Sequence, residues 1–308
     1  MGTPQFAEVC LEHLLESVHR VTAVVTRPDR PAGRGQKPRP SVVKLLARSR
    51  GIEVLEPTRP SAPEFISAMR ALAPDVVVVV AYGRLLPDAV LCIPPHGCIN
   101  AHASLLPRYR GAAPIERAIL RGDTETGVTI MRINERMDAG DVLMAEPVAI
   151  GARTDAAGLR EMLAPIAARL LVSALDALAM GHAVFSPQDE SLVTYAPPLE
   201  KEEARIDWRQ PAAVVDRVIR AFHPAPGAFT FERGRRLKIR AAVVRAGQIQ
   251  GDPGTVVESS ESGMLIACGE GALLVETLQP EGRRPMSAAD YVRGCPAGPP
   301  QRLTSAAT

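Results

Sequence analysis

The chain has 308 residues, 46% of them apolar, and a formal net charge of +2; that is enough apolar mass for two ordinary domains and too balanced a charge to announce a polyanionic partner by itself. No run of about eighteen apolar residues occurs, and no basic flank precedes an apolar stretch at the start, which predicts neither a membrane-spanning helix nor a signal peptide. The five cysteines, Cys10, Cys92, Cys98, Cys268 and Cys295, are odd in number and scattered, which argues against a disulfide framework or a zinc knuckle and suits a reducing cytoplasm.

In chain order, Thr3 followed by Pro4 reads as an N-cap and first-turn pair for a helix through Glu8 to Ser17. A β-branched strand follows at Arg20 to Arg27, then a helix at Ser41 to Arg48, a short extended piece at Glu53 to Glu56, and a helix at Ala62 to Leu72. The valines of Asp75 to Val80 fit a strand buried on both faces, as in a parallel sheet. This alternation predicts an α/β fold with a Rossmann-like, doubly wound parallel sheet. Between Arg20 and Arg50 stand nine basic residues and a single acid, Asp29. The glycine-rich Pro31-Ala-Gly-Arg-Gly35 inside that stretch has neither the ending of a phosphate loop nor the spacing of a dinucleotide fingerprint.

The run Cys98-Ile-Asn-Ala-His-Ala-Ser-Leu-Leu-Pro-Arg-Tyr-Arg-Gly-Ala-Ala-Pro-Ile115 and the later Arg136-Met-Asp-Ala-Gly-Asp141 hold the most chemistry. Alternate side chains of an extended segment share a face, so Asn100 and His102 point the same way at a strand end, with the carboxylate of Asp138 within reach. An amide, an imidazole and a carboxylate together suit acyl chemistry. A histidine after a strand is more often structural, and His13, His19, His96, His182 and His223 are read that way. Asp141 is read as a turn residue.

Beyond this, Gly158 to Gly181 is a long amphipathic helix and His182 to Pro198 reads as a linker. Short strands with Gly/Pro turns follow at Leu237–Val244, Gly254–Val257, Met264–Ala267 and Leu273–Leu278, the pattern of a small β-barrel. A second basic cluster, Arg233, Arg235, Arg236, Lys238 and Arg240, comes just after Phe229 and Phe231 and suits a polyanion. The expected division is a catalytic domain over 1–181, a linker over 182–200 and a C-terminal domain over 201–308.

The pattern Asn-x-His-x-Ser-Leu-Leu-Pro-x-Tyr-Arg-Gly with Asp-x-Gly-Asp following resembles the formyltransferases that use 10-formyltetrahydrofolate. Arg108-Tyr-Arg-Gly-Ala-Ala-Pro-Ile115, Arg27-Pro-Asp-Arg-Pro-Ala-Gly-Arg-Gly35 and Lys201-Glu-Glu-Ala-Arg-Ile-Asp-Trp208 resemble the branch acting on methionyl-tRNA, from about Gly2 to about Arg293. The resemblance implies transfer of a formyl group from that folate to the amino group of initiator methionyl-tRNA, without a metal, by a cytoplasmic monomer that needs no membrane. On this reading Asn100 donates to the oxyanion, His102 donates as imidazolium or returns a proton to the departing folate, and Asp138 orients His102. Ser104, Leu105, Leu106 and Pro107 would contact the folate, and Val80 to Pro87 would form another wall carrying Tyr82, Leu85 and Leu86. Arg34 matches the family's tRNA-recognition arginine on a flexible loop, with Lys37 and Arg39 as phosphate partners, and Arg235, Arg236 and Lys238 lie in an oligonucleotide-binding-like barrel.

Ala103, Pro198 and Ala225 depart from the residues usual in the family. The family opens with a short apolar strand leading into Gly-Thr-Pro, so a sheet lacking its first strand is expected, with Met1 an internal methionine. The alternatives are a relative that formylates a sugar nucleotide or a purine precursor, and a catalytically idle RNA-binding module.

Overall fold

Short strands, the valine-containing β-segments at 23–25 and 77–79 among them, alternate in the first hundred residues with helices that each bury one face. The computed structural model describes residues 1–32, 37–247, 249–295 and 301–306. They form two units: Met1–Pro114 with Glu125–Ala149 and Arg160–Pro197, and Ile115–Thr124 with Ile150–Leu159 and Pro198–Thr308.

The chain runs through α1 (Gln5–Glu16), β1 (Ala23–Val25), β2 (Arg30–Ala32), β3 (Lys37–Arg39), α2 (Val42–Ser49), β4 (Glu53–Leu55), α3 (Pro63–Leu72) and β5 (Val77–Val79). A single turn, α4 (Asp88–Leu91), then leads to β6 (Cys98–His102), β7 (Arg110–Gly111), α5 (Pro114–Arg121), β8 (Glu125–Arg132), β9 (Val142–Ala149), α6 (Ala156–Ala179) and β10 (Tyr195–Ala196). β1 pairs with β4 and β5 with β6, all parallel. From β6 onward the sheet turns antiparallel, β6 to β8 and β8 to β9, so the parallel half continues into a hairpin. Pro147 is tolerated in β9 because that strand is an edge. Val25, Phe65, Met69, Val77, Val79, Tyr82, Val90 and Cys98 pack one face of the sheet.

Between β1 and β5 lie Met1 and Gly2. Gly2 N donates to Val25 O (3.0 Å), Val80 N to Met1 O (2.8 Å), and the terminal amine to Val78 O (2.5 Å). Past these two residues the sheet is interrupted by a cavity of about 580 Å³ lined by Cys10, Leu14, Val24, Val77 and Leu175.

Several local expectations change. The N-cap of α1 is Pro4, without a side-chain cap bond, while Thr3 receives a long hydrogen bond (3.5 Å) from Thr26 Oγ1. The stretch 182–197, expected as a linker, belongs to the first unit: β10 pairs parallel with β7, and Val142 and Ser186 exchange backbone hydrogen bonds. Its prolines and polar residues look like a linker because two-residue backbone pairing leaves no periodicity in sequence. Lys44, one of the nine basic residues between Arg20 and Arg50, is 5% exposed and bonds Asp29 Oδ2 and Glu56 Oε1 at 2.8 Å each. Helix α6 is long and apolar enough to cross a membrane by length and composition, and half of its most apolar stretch is buried inside the fold; Leu163, Ala167, Leu171 and Ala174 are core residues.

The second unit places α7 (Ala212–Ala221) beside a six-stranded antiparallel sheet. Its strands are β11 (Phe229–Glu232), β12 (Arg235–Arg245), β13 (Val256–Ser260), β14 (Gly263–Ala267), β15 (Ala272–Pro280) and β16 (Met286–Ser287), with α8 (Ala288–Arg293) after them. The order is β11-β12-β15-β14-β13, with β16 on β15. Arg302 bridges Thr255, just before β13, and Thr304 bridges Phe231 on β11, so the C-terminal segment joins the two edges of the sheet as a barrel requires. Trp208 is fully buried here and donates its indole N–H to Thr230 Oγ1 at 2.9 Å.

Candidate active site

Strand β6 is the platform. Cys98, Ile99 and Ala101 are buried, and its pairing with β8 sets Asn100 opposite Met131 and His102 opposite Thr129. Asn100 is half-buried, and among the described residues its carboxamide has no protein partner. His102 is 6% exposed. Its Nε2 lies 2.9 Å from Tyr109 O, and since a carbonyl only accepts, Nε2 carries the proton. Nδ1 then points at Asp138 Oδ2, 3.7 Å away. This distance exceeds a hydrogen bond, so the orientation of His102, expected from Asp138, comes from the Tyr109 carbonyl instead.

Asp138 occupies the left-handed region at φ 48°, and Tyr109 does so at φ 62°. Such residues cost of order 1 kcal/mol or more and persist where the surroundings hold them. The Asp138 carboxylate accepts from Gly111 N at 2.8 Å. The turn needs Gly140, because a β-carbon there would lie 1.8 Å from Arg132 O.

The loop after β6 is tied down from within. Ser104 is fully buried and donates to Arg108 O (2.6 Å); Thr129 Oγ1 donates to Ser104 O (2.7 Å) and accepts from Leu106 N (3.1 Å). Leu105 lies over Gly127 of β8, where a β-carbon would come within 2.5 Å of its Cδ2, so that side chain is committed to packing. Leu106 and Pro107 are half-buried. Of the residues expected on the second wall, Leu85 is 72% exposed, Leu86 packs on the core, and Tyr82 is buried among the core residues with a hydroxyl that has no partner among the described residues. Burial, the largest influence, pushes the Tyr82 hydroxyl up from its ordinary value.

The basic residues divide. Arg34 and the side chain of Lys37 lie outside the described residues; Arg39 is exposed at the end of β3, which pairs antiparallel with β2, and the loop expected between the two strands lies outside the described residues. On β12, Arg236, Lys238 and Arg240 share one face by alternation, with Arg235 on the other. Arg236 stacks 4.0 Å over the Phe229 ring. Lys238 Nζ donates to Pro226 O (2.6 Å), and Arg240 donates to Pro224 O and to Gln279 Oε1 (3.1 Å from Nε). Burial first, then Arg240 and Arg236, lowers the Lys238 ammonium from its ordinary value. Arg236 therefore keeps the most exposed charge of that face.

Residues that the sequence reading passed over take part as well: Tyr109 and Gly111 through their backbones, Thr129 under the loop, and Arg110 with Gln188 beside Asp138. Arg110 stood inside a quoted motif and could have been found there. Gln188 carries no signal, because it acts on backbone carbonyls from a segment without periodicity.

Residues 1–175 match the family described as Formyl transferase, and residues 198–296 match its C-terminal domain. The chain is similar to a protein named methionyl-tRNA formyltransferase from Geobacter metallireducens, 45% identical, with 98% of this chain and 97% of that protein covered. It is similar to one of the same name from Xanthomonas campestris pv. campestris, 48% identical, with 94% and 95% covered. Among solved structures it is similar to WlaRD, a sugar 3N-formyl transferase, with TM-score 0.67 at 16% identity over 92% of this chain and 97% of that one. HypX from Aquifex aeolicus in complex with tetrahydrofolic acid gives TM-score 0.60 at 22% identity over 80% and 43%. At these identities the two structures speak for the fold alone.

Proposed function

The chain belongs to the formyl transferase family, and from that premise we propose that it moves the formyl group of 10-formyltetrahydrofolate onto the amino group of initiator methionyl-tRNA for translation initiation. The observation that carries the reading is the cluster of an open carboxamide, a tautomer-fixed imidazole and a held carboxylate at one end of β6, in a chain 45% identical over nearly its full length to a relative named for that activity.

The residues present fit such a co-substrate: the Asn100 amide is open to a carbonyl oxygen, Leu85 offers exposed apolar surface, and the buried Tyr82 hydroxyl is without a partner among the described residues. The folate supplies the formyl carbon and the leaving nitrogen. As the amine nitrogen bonds to that carbon, the carbonyl electrons move to oxygen, and the Asn100 NH2 donates to the charge that develops. With Nε2–H committed to Tyr109 O, His102 takes the amine proton on Nδ1, and the Asp138 carboxylate at 3.7 Å stabilises the imidazolium. The bond to the folate nitrogen then breaks and His102 returns the proton there, so every proton and electron pair is accounted for. The role of Asp138 is thus electrostatic, and that of His102 begins as base and ends as acid.

For the tRNA, Arg34 with Lys37 and Arg39 is the proposed recognition element. Arg236 is the proposed phosphate contact of the second unit, with Lys238 on the same face of β12 and Arg235 on the other, since arginine contacts to phosphates position a duplex without reading its sequence. The reading calls on no metal or membrane, and it takes the protein as a cytoplasmic monomer.

The test is formyl transfer to charged initiator tRNA, to the same tRNA with its first base pair made complementary, and to an amino-sugar nucleotide. Preference for the unaltered tRNA is the expected result. Product on the sugar amine with none on tRNA overturns the reading.

A further inference from the structure

Asp138 sits in the left-handed backbone region, at φ 48°, which a non-glycine residue adopts at a cost in strain. The group that holds its carbonyl comes from the segment 188–196, which is far away in sequence. Gln188 spends both hydrogens of its amide on this loop, donating to Asp138 O at 2.9 Å and to Gly140 O at 2.7 Å. Its own oxygen accepts from Arg110 Nε at 3.0 Å and Nη2 at 2.8 Å. Arg110, 3% exposed, is fixed in turn by both oxygens of Glu190, at 3.2 and 3.1 Å, and its backbone N–H donates to Thr194 O at 2.9 Å. The residue after Arg110 is Gly111, whose N–H holds the Asp138 carboxylate.

We infer that Gln188 is a positioning residue for formyl transfer: through Arg110 it sets the Asp138 loop so that the carboxylate stands beside His102. One arm of the arrangement fixes the loop's carbonyls and the other fixes its carboxylate, and both converge on the two residues of β7. The amide is required by its chemistry. Only a side chain with two donors and an acceptor satisfies two carbonyls and a guanidinium at once. A glutamate would pair with Arg110 while pressing a carboxylate against two carbonyl oxygens.

The inference rests on the proposed role of Asp138, and the experiment separates the two. Single-turnover formyl transfer is measured for Gln188→Ala, Asp138→Asn and the double variant, with folate Kd and KM for tRNA alongside. The expected result is a loss of about 10- to 100-fold in kcat for Gln188→Ala, the scale of a misplacement near an ångström, with Kd and KM unchanged. In the Asp138→Asn background the same substitution should cost no more than twofold, since residues acting through one another are not additive. A full-rate Gln188→Ala beside an impaired Asp138→Asn overturns this inference alone, as do independent, additive losses. A full-rate Asp138→Asn overturns the role of Asp138 and the inference with it. Gln188→Glu keeps the side chain's length and carries the same expectation if the alanine variant folds poorly.

Discussion

A buried imidazole whose Nε2–H is committed to a carbonyl has one lone pair to give, and at His102 it faces a carboxylate beyond hydrogen-bond distance. An acceptor facing an acceptor gains nothing until a proton arrives, so the pair is set for the moment the amine loses its proton. His102→Ala should therefore lower kcat by about 10²- to 10⁴-fold, the usual worth of a positioned acid–base group, while the folate Kd stays put. It should also cost about 1 kcal/mol of stability, because the buried hydrogen bond from His102 to Tyr109 O is lost. Asn100→Ala makes the contrasting case. Its carboxamide has no protein partner among the described residues, so stability should barely change while kcat falls about a hundredfold, as for other lost oxyanion donors. Single-turnover rates with thermal melts of both variants check this; a near wild-type rate in either removes that residue from the mechanism.

Elements are held together here by polar groups that the sequence disguises. Lys44 of α2 joins Asp29, which precedes β2, to Glu56, which follows β4, and both carboxylates, about a quarter exposed, strengthen its positive charge. Lys44→Met would leave two carboxylates together without their cation. The expected loss is about 2 kcal/mol by denaturant unfolding, below the figure for a fully buried pair because both acids reach water, and an unchanged midpoint would show the triad to be idle. In sequence Lys44 is one more base in a basic stretch, since charge counts carry no burial. The same limit explains what else was hidden. The valine run of β5 and the Asn-x-His face of β6 were legible because period and motif are local. β8, buried at six of its eight positions, shows no alternation, and it lies next to β6 only because the chain returns antiparallel. β10 exists through two residues' backbone pairing with β7, and Gln188 through its grip on two carbonyls; neither leaves a pattern in the residue types.

On the scale of the whole molecule, stability is a small difference between large terms, and one misplaced charge is a sizeable part of it. In the 308-residue chain the Met1 amine is buried between β1 and β5, bonded to Val78 O and bordering the apolar cavity. Burial, partly offset by Cys98 and Cys10, lowers it from 8.0 to about 6. The folded state therefore prefers the neutral amine. Above pH 8 both states hold it neutral and the fold has its full stability; as pH falls from 8 to 6 the unfolded chain takes up a proton that the folded chain refuses, and stability drops by up to roughly 3 kcal/mol. Carboxylates act in a different window. Glu203, held low mainly by its hydrogen bond from Arg117, contributes above the ordinary glutamate range and is lost only in stronger acid, so the two effects separate along the pH axis. The expected profile is a melting temperature that rises between pH 6 and pH 8, and that loses this rise when the terminal amine is acetylated. A flat profile in the free-amine protein would mean that the amine reaches water, and with it that β1 and β5 are not held by Met1 and Gly2.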